Sequence, residues 1–406
     1  MLFFILSEPN GLERTAEPVS VTASFYRNEL PDISALQLLD EDGRPVTIQI
    51  TDRIDVPSTG PRTRPSCHCH IHFLADLPAD GRKEYRLKIG EGEERSTSRD
   101  DPTKNHDESS TEHPASDLQI ANERLNVRIE NEHLFVILDP TSGHIYTLKN
   151  KTADVSYESP RTGEWKPDVF DPNRGWPQPS EWDPPPKVTF EKGPVFFEMN
   201  RTGTLGEFPE ITLHTTYRLY SRAQYLWVRN LIEINADVPL ACLRSHEFIF
   251  KSVQFSHLAW QRPSGRIETR PLAEMEPLNR HGDLVKLRPE IPWVAFVQPE
   301  QGHAVGRLHI RSADFNRLGR TLRLRGHSLS VVNAETVHGL YWIRPYIYWP
   351  HHTNRDQLLT ATAGSLYEEE YTIAFAAGPN TSSLCSQFHN LYRRLRNPIF
   401  AEISEQ

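Results

Sequence analysis

Residues 210–234 read EITLHTTYRLYSRAQYLWVRNLIEI, two alternating runs joined by a short polar step. In the first run His214, Thr216, Arg218 and Tyr220 share one face of an extended chain, with Thr215, Tyr217 and Leu219 between them on the other. In the second, Tyr225, Trp227, Arg229 and Glu233 group in the same way. A period of two with no helical spacing predicts strands, and the pattern continues on both sides of this stretch. LNVRIE, LFVILD, HIYTLKN, VFFEMNRT, RSHEFIFKS, VAFVQ, HAVGRLHI, LSVVNA, GLYWIRPYIYW and EEEYTIAFAA are further short runs, which predicts a large antiparallel β-sandwich over residues 118–378.

Toward the N-terminus, VSVTASF, ALQLLD, VTIQITDRI, CHCHIHFLADL and EYRLKIG alternate too, separated by turn signals such as Asp42-Gly43 and Asp80-Gly81. They predict a small all-β domain over residues 1–90. Residues 91–117 carry dense charge, Ser and Pro without apolar period, and are expected to form a linker or loop. Leu384, Phe388, Leu391, Tyr392 and Leu395 recur at helical spacing before Pro398, so residues 379–406 are expected to hold one C-terminal helix and a tail. The expected class is therefore all-β: a small N-terminal β domain, a large antiparallel sandwich (supersandwich), and one helix.

The formal charge of -9 over 406 residues argues against nucleic acid or an anionic membrane as partner. The four cysteines, Cys67, Cys69, Cys242 and Cys385, show no disulfide framework and read as thiols. MLFFIL is too short and lacks the basic start of an export signal, so it reads as a first strand. No segment approaches the roughly 20 apolar residues of a membrane span. The expectation is a soluble protein, cytoplasmic as the sequence stands, with export left open.

Several strands carry Arg, His and Tyr at positions that share a face. In GLYWIRPYIYWPHHTNRD (339–356), Trp342, Arg344, Tyr346 and Tyr348 alternate, with His351 and His352 beyond them, and Arg244 and His246 alternate on another strand. Such faces, if gathered in one hollow, suit an acidic oligo- or polysaccharide, because Arg pairs with carboxylates in two-point fashion. β-Elimination from a uronate uses these residue types. Arg344 or Arg244 would neutralise the carboxylate, and His246 with Tyr346 or Tyr348 would serve as base and acid. Trp176 and Trp182, in the Pro- and Trp-rich stretch 160–187, together with His214, Arg218, Trp342, His351 and His352, are the expected substrate contacts. Two plainer readings stand beside these: the tryptophans pin a long loop, and the charged strand residues coat a solvated sheet face.

Carboxylates for glycoside hydrolysis or epimerisation exist in Glu181, Asp183, Glu247 and Glu368 to Glu370, and sequence leaves their separations open. CHCHIHF (67–73) places His68, His70 and His72 on one strand face. Neighbours there stand roughly 6.5 to 7 Å apart, so His68 and His70 form half a site for a divalent metal ion, with the remaining ligands to come from elsewhere. No motif requires a cofactor, and no Gly-rich phosphate loop, nucleophile elbow or HExxH occurs. A noncatalytic carbohydrate-binding protein is the remaining alternative.

The stretches GLERTAEPVSV, ALQLLDEDGRPVTIQI and FLADLPADGRKEYRLKIG, followed by NERLNVRIENEHLFVILDPTSGHIYTLKNK, together resemble the N-terminal and central β domains of the exo-rhamnogalacturonan lyase and YetA-like group. More broadly they are similar to the supersandwich of galactose-mutarotase-like carbohydrate enzymes. That resemblance implies a carbohydrate-active protein and, first, a polysaccharide lyase. This chain lacks the large helical toroid that would follow in that group, so no catalytic residue is carried over.

Overall fold

The computed structural model describes residues 2–26, 36–56, 66–89, 116–123, 126–158, 168–176, 184–275, 285–288, 290–321, 328–334, 339–348 and 358–405. Every named strand pairing is antiparallel, and one α-helix, Thr381–Arg396, is present among the described residues. The chain divides into two compact units, one of residues 1–117, 193–196 and 397–406, the other of residues 118–192 and 197–396.

In the first unit a five-stranded sheet runs in the order Phe400–Glu405, Leu2–Ser7, Arg82–Ile89, Leu36–Leu39, Pro45–Val46. A three-stranded sheet runs Arg14–Tyr26, Ser66–Leu77, Ile48–Val56. Leu2–Ser7, from the MLFFIL stretch, is the second strand of the first sheet, and Cys67, Cys69, Ile71 and Phe73 point into the core with Phe4, Tyr85 and Leu87. All four cysteines are buried and unlinked. The tail differs from its simple description in sequence: Phe400–Glu405 pairs residue for residue with Leu2–Ser7, so the last residues belong to the same unit as the first.

The second unit is the sandwich. Its nine-stranded sheet includes, as consecutive neighbours, Phe208–Tyr220, Tyr225–Ile234, Leu366–Ala377, His303–Phe315 and Trp293–Gln298. A five-stranded sheet (Gln119–Glu123 to Val155–Glu158) and a six-stranded sheet built around Leu340–Tyr348 share its main core, which includes Val136, Leu148, Val228, Val331, Ile343 and Ile373. The turn that opens the hairpin LDPTSGHIYTLKN needs Gly143, whose φ is +74° and whose amide donates to the Asp139 carbonyl at 2.8 Å. The opposite face of the nine-stranded sheet takes the helix: Leu384, Phe388 and Leu391 pack on Trp293, Ala295, Leu308 and Ala374. Asn380 caps that helix, its Oδ1 accepting from the Ser383 amide at 2.9 Å.

Candidate functional site

The core face of the nine-stranded sheet is interrupted by one polar row. On Phe208–Tyr220 the inward positions run Ile211, Leu213, Thr215, Tyr217, Leu219; on Tyr225–Ile234 they run Val228, Asn230, Ile232; on Leu366–Ala377 they run Tyr367, Glu369, Tyr371, Ile373. Register places Thr215 opposite Asn230, Asn230 opposite Glu369, and Glu369 opposite Ser312. The hydrophobic residues on either side of this row fall into two separate core clusters, Tyr217, Val228 and Tyr371 in one, Leu213, Ile232 and Tyr367 in the other. From the facing sheet, residues 244–247 fill the same break, lying between Leu243 of one cluster and Phe248 of the other. A polar seam therefore crosses the sandwich.

Its deep end is a charged knot. The Arg307 guanidinium, fully buried, donates through Nη2 to Glu369 and through Nε to His246 Nε2 at 3.1 Å. Because Arg cannot accept, His246 Nε2 carries the lone pair and its proton sits on Nδ1, 3.1 Å from Ser245 Oγ and 3.4 Å from Glu369 Oε2. Burial, reinforced by Arg307 and His309, pushes the His246 pKa well below 6.5, so the ring is neutral. It stacks on Tyr371 with centroids 3.9 Å apart. Asn230 Nδ2 donates to the Ser245 carbonyl at 3.0 Å, fixing the 244–247 segment to the sheet.

One residue further along, Glu247 receives Arg244 Nη1 at 2.7 Å and Arg344 Nε on the same oxygen. Each guanidinium lies over an indole: Arg244 over Trp176 at 4.4 Å, Arg344 over Trp342 at 3.8 Å. Arg244 is 4% exposed, whereas the Arg344 side chain keeps 17% of its surface in solvent. Its Nη groups have no protein partner among the described residues. The seam thus runs from a closed charged knot to a guanidinium that meets water.

The expected residues divide accordingly. Arg244, His246, Arg344 and Tyr346 do come together, Tyr346 standing opposite Arg244 in register. Arg244, His246 and Tyr346 are buried while Arg344 keeps part of its surface in solvent, which corrects the roles first assigned to His246 and Tyr346. His246 is wholly buried with its basic nitrogen occupied by Arg307, so it presents no base to a substrate. Tyr346 is 1% exposed. Tyr348 is not on the Arg344 face at all: Leu243 pairs with Tyr348 but Arg244 with Tyr346, so Ile347 is an extra residue that turns Tyr348 into the core beside Leu213 and Leu243. Burial raises the Tyr348 pKa, the wrong direction for a proton donor.

His214 and Arg218 lie on the opposite face of the same sheet. His214 Nδ1 contacts Thr202 Oγ1 at 3.0 Å, and Arg218 Nε donates to Glu198 at 2.6 Å while its guanidinium lies over Trp227. They coat the outward surface, together with the Arg229, Glu368, Arg311 and Glu370 ion pairs. Trp176 is held between Phe170 and Arg244, so this indole anchors its loop. Trp182, His351 and His352, like Asp183, lie outside the described residues.

In the first unit His68, His70 and His72 share a face as the alternation predicts, but their nitrogens meet hydroxyls. His68 Nδ1 is 2.7 Å from Ser24 Oγ, His70 Nδ1 is 3.0 Å from Thr22 Oγ1, and His72 Nε2 is 2.8 Å from Thr51 Oγ1. Among the described residues no group of three or more His, Cys, Asp or Glu is arranged to hold a metal ion. Nor is any helix there long and apolar enough to cross a membrane. Sequence reading missed Arg307, His309 and Glu369 as a cluster; the available signal was a polar residue at an inward position on successive strands.

No protein-family model and no curated protein matches this chain. Among solved structures, the fold is similar to a protein in glycosyl hydrolase family 38 from Enterococcus faecalis, with a TM-score of 0.57 and 13% identity over 100% of this chain and 47% of that one. It is also similar to an α-mannosidase from Enterococcus faecalis V583, with a TM-score of 0.56 and 12% identity over 100% of this chain and 46% of that one. This chain spans just under half the length of each. At these identities the likeness concerns the fold, a β-sandwich architecture also found in glycoside-hydrolase chains.

Proposed function

We propose that this protein binds and processes carbohydrate on its sandwich, by hydrolase-type chemistry in preference to β-elimination, with an acidic glycan meeting the seam at Arg344 and Trp342. The observation that carries this reading is the Arg244–Glu247–Arg344 cluster flanked by two indoles, which brings a carboxylate, a solvent-reaching guanidinium and a flat aromatic face to one end of the seam. Arg344 offers its Nη pair, which has no partner among the described residues, to a sugar carboxylate. Trp342 is 6% exposed and contributes the platform that holds the guanidinium flat. Glu247 accepts from Arg244 and Arg344 on one oxygen, and this carboxylate is the base or nucleophile of the proposed reaction. The fold neighbours named for glycosyl hydrolase and α-mannosidase activity support the hydrolase class.

Elimination is the second reading, favoured by the partly exposed Arg344 alone, since it needs a reachable base and His246 is closed in. The deciding assay follows new reducing ends and unsaturated product in parallel, across acidic oligosaccharides and α-mannosides. Hydrolysis yields reducing ends without the ultraviolet chromophore and is lost in Glu247→Gln with the fold intact. Chromophore formation transfers the site to elimination, and neither product removes the enzymatic reading.

A further inference from the structure

A recess of different character opens in the second unit, where the sheet and the helix Thr381–Arg396 approach the hairpin ends at His133 and Asn150. Its volume is about 240 Å³, just under the ~300 Å³ at which pockets for drug-sized ligands begin, so it holds one ring and not a chain of them. The polar residues lining it are His133, Asn150, Thr152, Gln224 and Gln387; Leu134 and the buried Phe375 supply apolar wall. No Lys, Arg, Asp or Glu takes part.

The walls are fixed and the rim is free. Asn150 Nδ2 donates to the Ala376 carbonyl at 3.2 Å and its Oδ1 accepts from the Ala153 amide at 3.2 Å. Gln387 pairs with the backbone of Ala377 in both senses, accepting at 3.3 Å and donating at 2.8 Å. Asn131, beside His133, ties the hairpin to the carbonyls of Tyr220 and Ala223 at 2.9 Å each. In contrast, Gln224 and Thr152 are exposed and their side chains have no protein partner among the described residues. A preformed recess with spare amide and hydroxyl groups over an apolar wall suits a ligand whose edge both donates and accepts while its faces are C–H.

We infer that this recess is a subsite for a single neutral sugar ring, separate from the charged seam. Phe375 lies six residues along its strand from Glu369 of the seam, a separation of roughly 20 Å at strand rise. The choice of a sugar over another neutral polyol rests on the carbohydrate reading above, while the neutrality of the ligand rests on the lining alone.

The test compares D-galactose, D-galacturonate and myo-inositol by saturation-transfer NMR on the whole chain. Galactose and galacturonate differ in one carboxylate. Galactose is expected to bind, to weaken about fivefold in Gln224→Ala through loss of a hydrogen bond, to weaken also in Thr152→Val, and to be indifferent to Arg344→Ala. Galacturonate is expected to show the reverse dependence. Galactose binding that ignores both rim substitutions, or no galactose binding at all, overturns the subsite while leaving galacturonate at Arg344 standing. Inositol binding as well as galactose overturns the sugar assignment. If galactose follows Gln224 but galacturonate ignores Arg344, the subsite stands and the reading of the seam falls.

Discussion

Each unit buries an arginine among carboxylates, and the two arrangements differ in what surrounds them. In the first unit Arg14 has no exposed side-chain surface; it donates to Glu8 at 2.7 Å, to Glu17 at 3.3 Å and to the Asn397 carbonyl at 2.5 Å. The other Glu8 oxygen accepts from the amides of Asn10 and Leu12, both at 2.9 Å. Burial pushes the Glu8 carboxyl up, but those amides and Arg14 outweigh it and hold its pKa at about 2. This is a closed fastening that ties early residues to the bend that precedes the strand Phe400–Glu405. The sandwich seam begins just as closed at Arg307 and Glu369, yet continues through 244–247 to Arg344, which reaches solvent. Buried charge alone marks structure; buried charge that leads outward marks a candidate site.

The largest expected effects test the shared part of that comparison. Glu369→Ala leaves Arg307 without its carboxylate and is expected to destabilise the sandwich by about 3 to 5 kcal/mol in urea unfolding, with Arg14→Ala doing the same to the first unit. Equal stability of wild type and Glu369→Ala would mean the knot is not a buried ion pair. Arg344→Ala is expected to cost only about 1 kcal/mol, since Glu247 keeps Arg244, while weakening glycan binding about tenfold or more.

Acid separates the two units more finely. The folded His246 pKa lies below 6.5, so below that pH the unfolded chain takes a proton the native sandwich refuses, and stability falls as pH drops. Lowered His303 and His389 pKa values, both from burial first, add to the trend, while Asp314, raised by burial to about 6, opposes it below that pH. Glu8, depressed from 4.5 to about 2, stabilises above 4.5 and loses its contribution as pH falls from there toward 2. Melting curves between neutral and mildly acidic pH should therefore show the sandwich weakening first, and His246→Asn should reduce that sensitivity. The smallest effect is expected at the histidine face of the first unit, where His70→Ala removes a half-exposed contact to Thr22 and changes stability by under about 0.5 kcal/mol.

Much of the fold was legible because alternation survives in short windows: the strands, the apolar side of CHCHIHF and the helix at Leu384 to Leu391 all follow from period alone. The seam was only half legible. Arg244, His246, Glu247 and Arg344 drew attention as charged residues on strands, but period two assigns faces without saying which face is covered. Leu340–Tyr348 is buried on both faces because neighbours flank it and the sandwich covers it, and one extra residue at Ile347 reverses Tyr348. Glu369 drew notice only as one of three adjacent carboxylates and Arg307 not at all, because what joins them is register between strands some 60 residues apart in sequence, set by pairing that no local window contains.

The most direct test is a titration of acidic oligosaccharide against the whole chain and its Arg344→Ala variant, with melting temperature followed in the same samples. The account predicts saturable binding by the wild type, about tenfold or greater weakening in the variant, and nearly unchanged melting. Binding of equal strength in both proteins, or none in either, contradicts it.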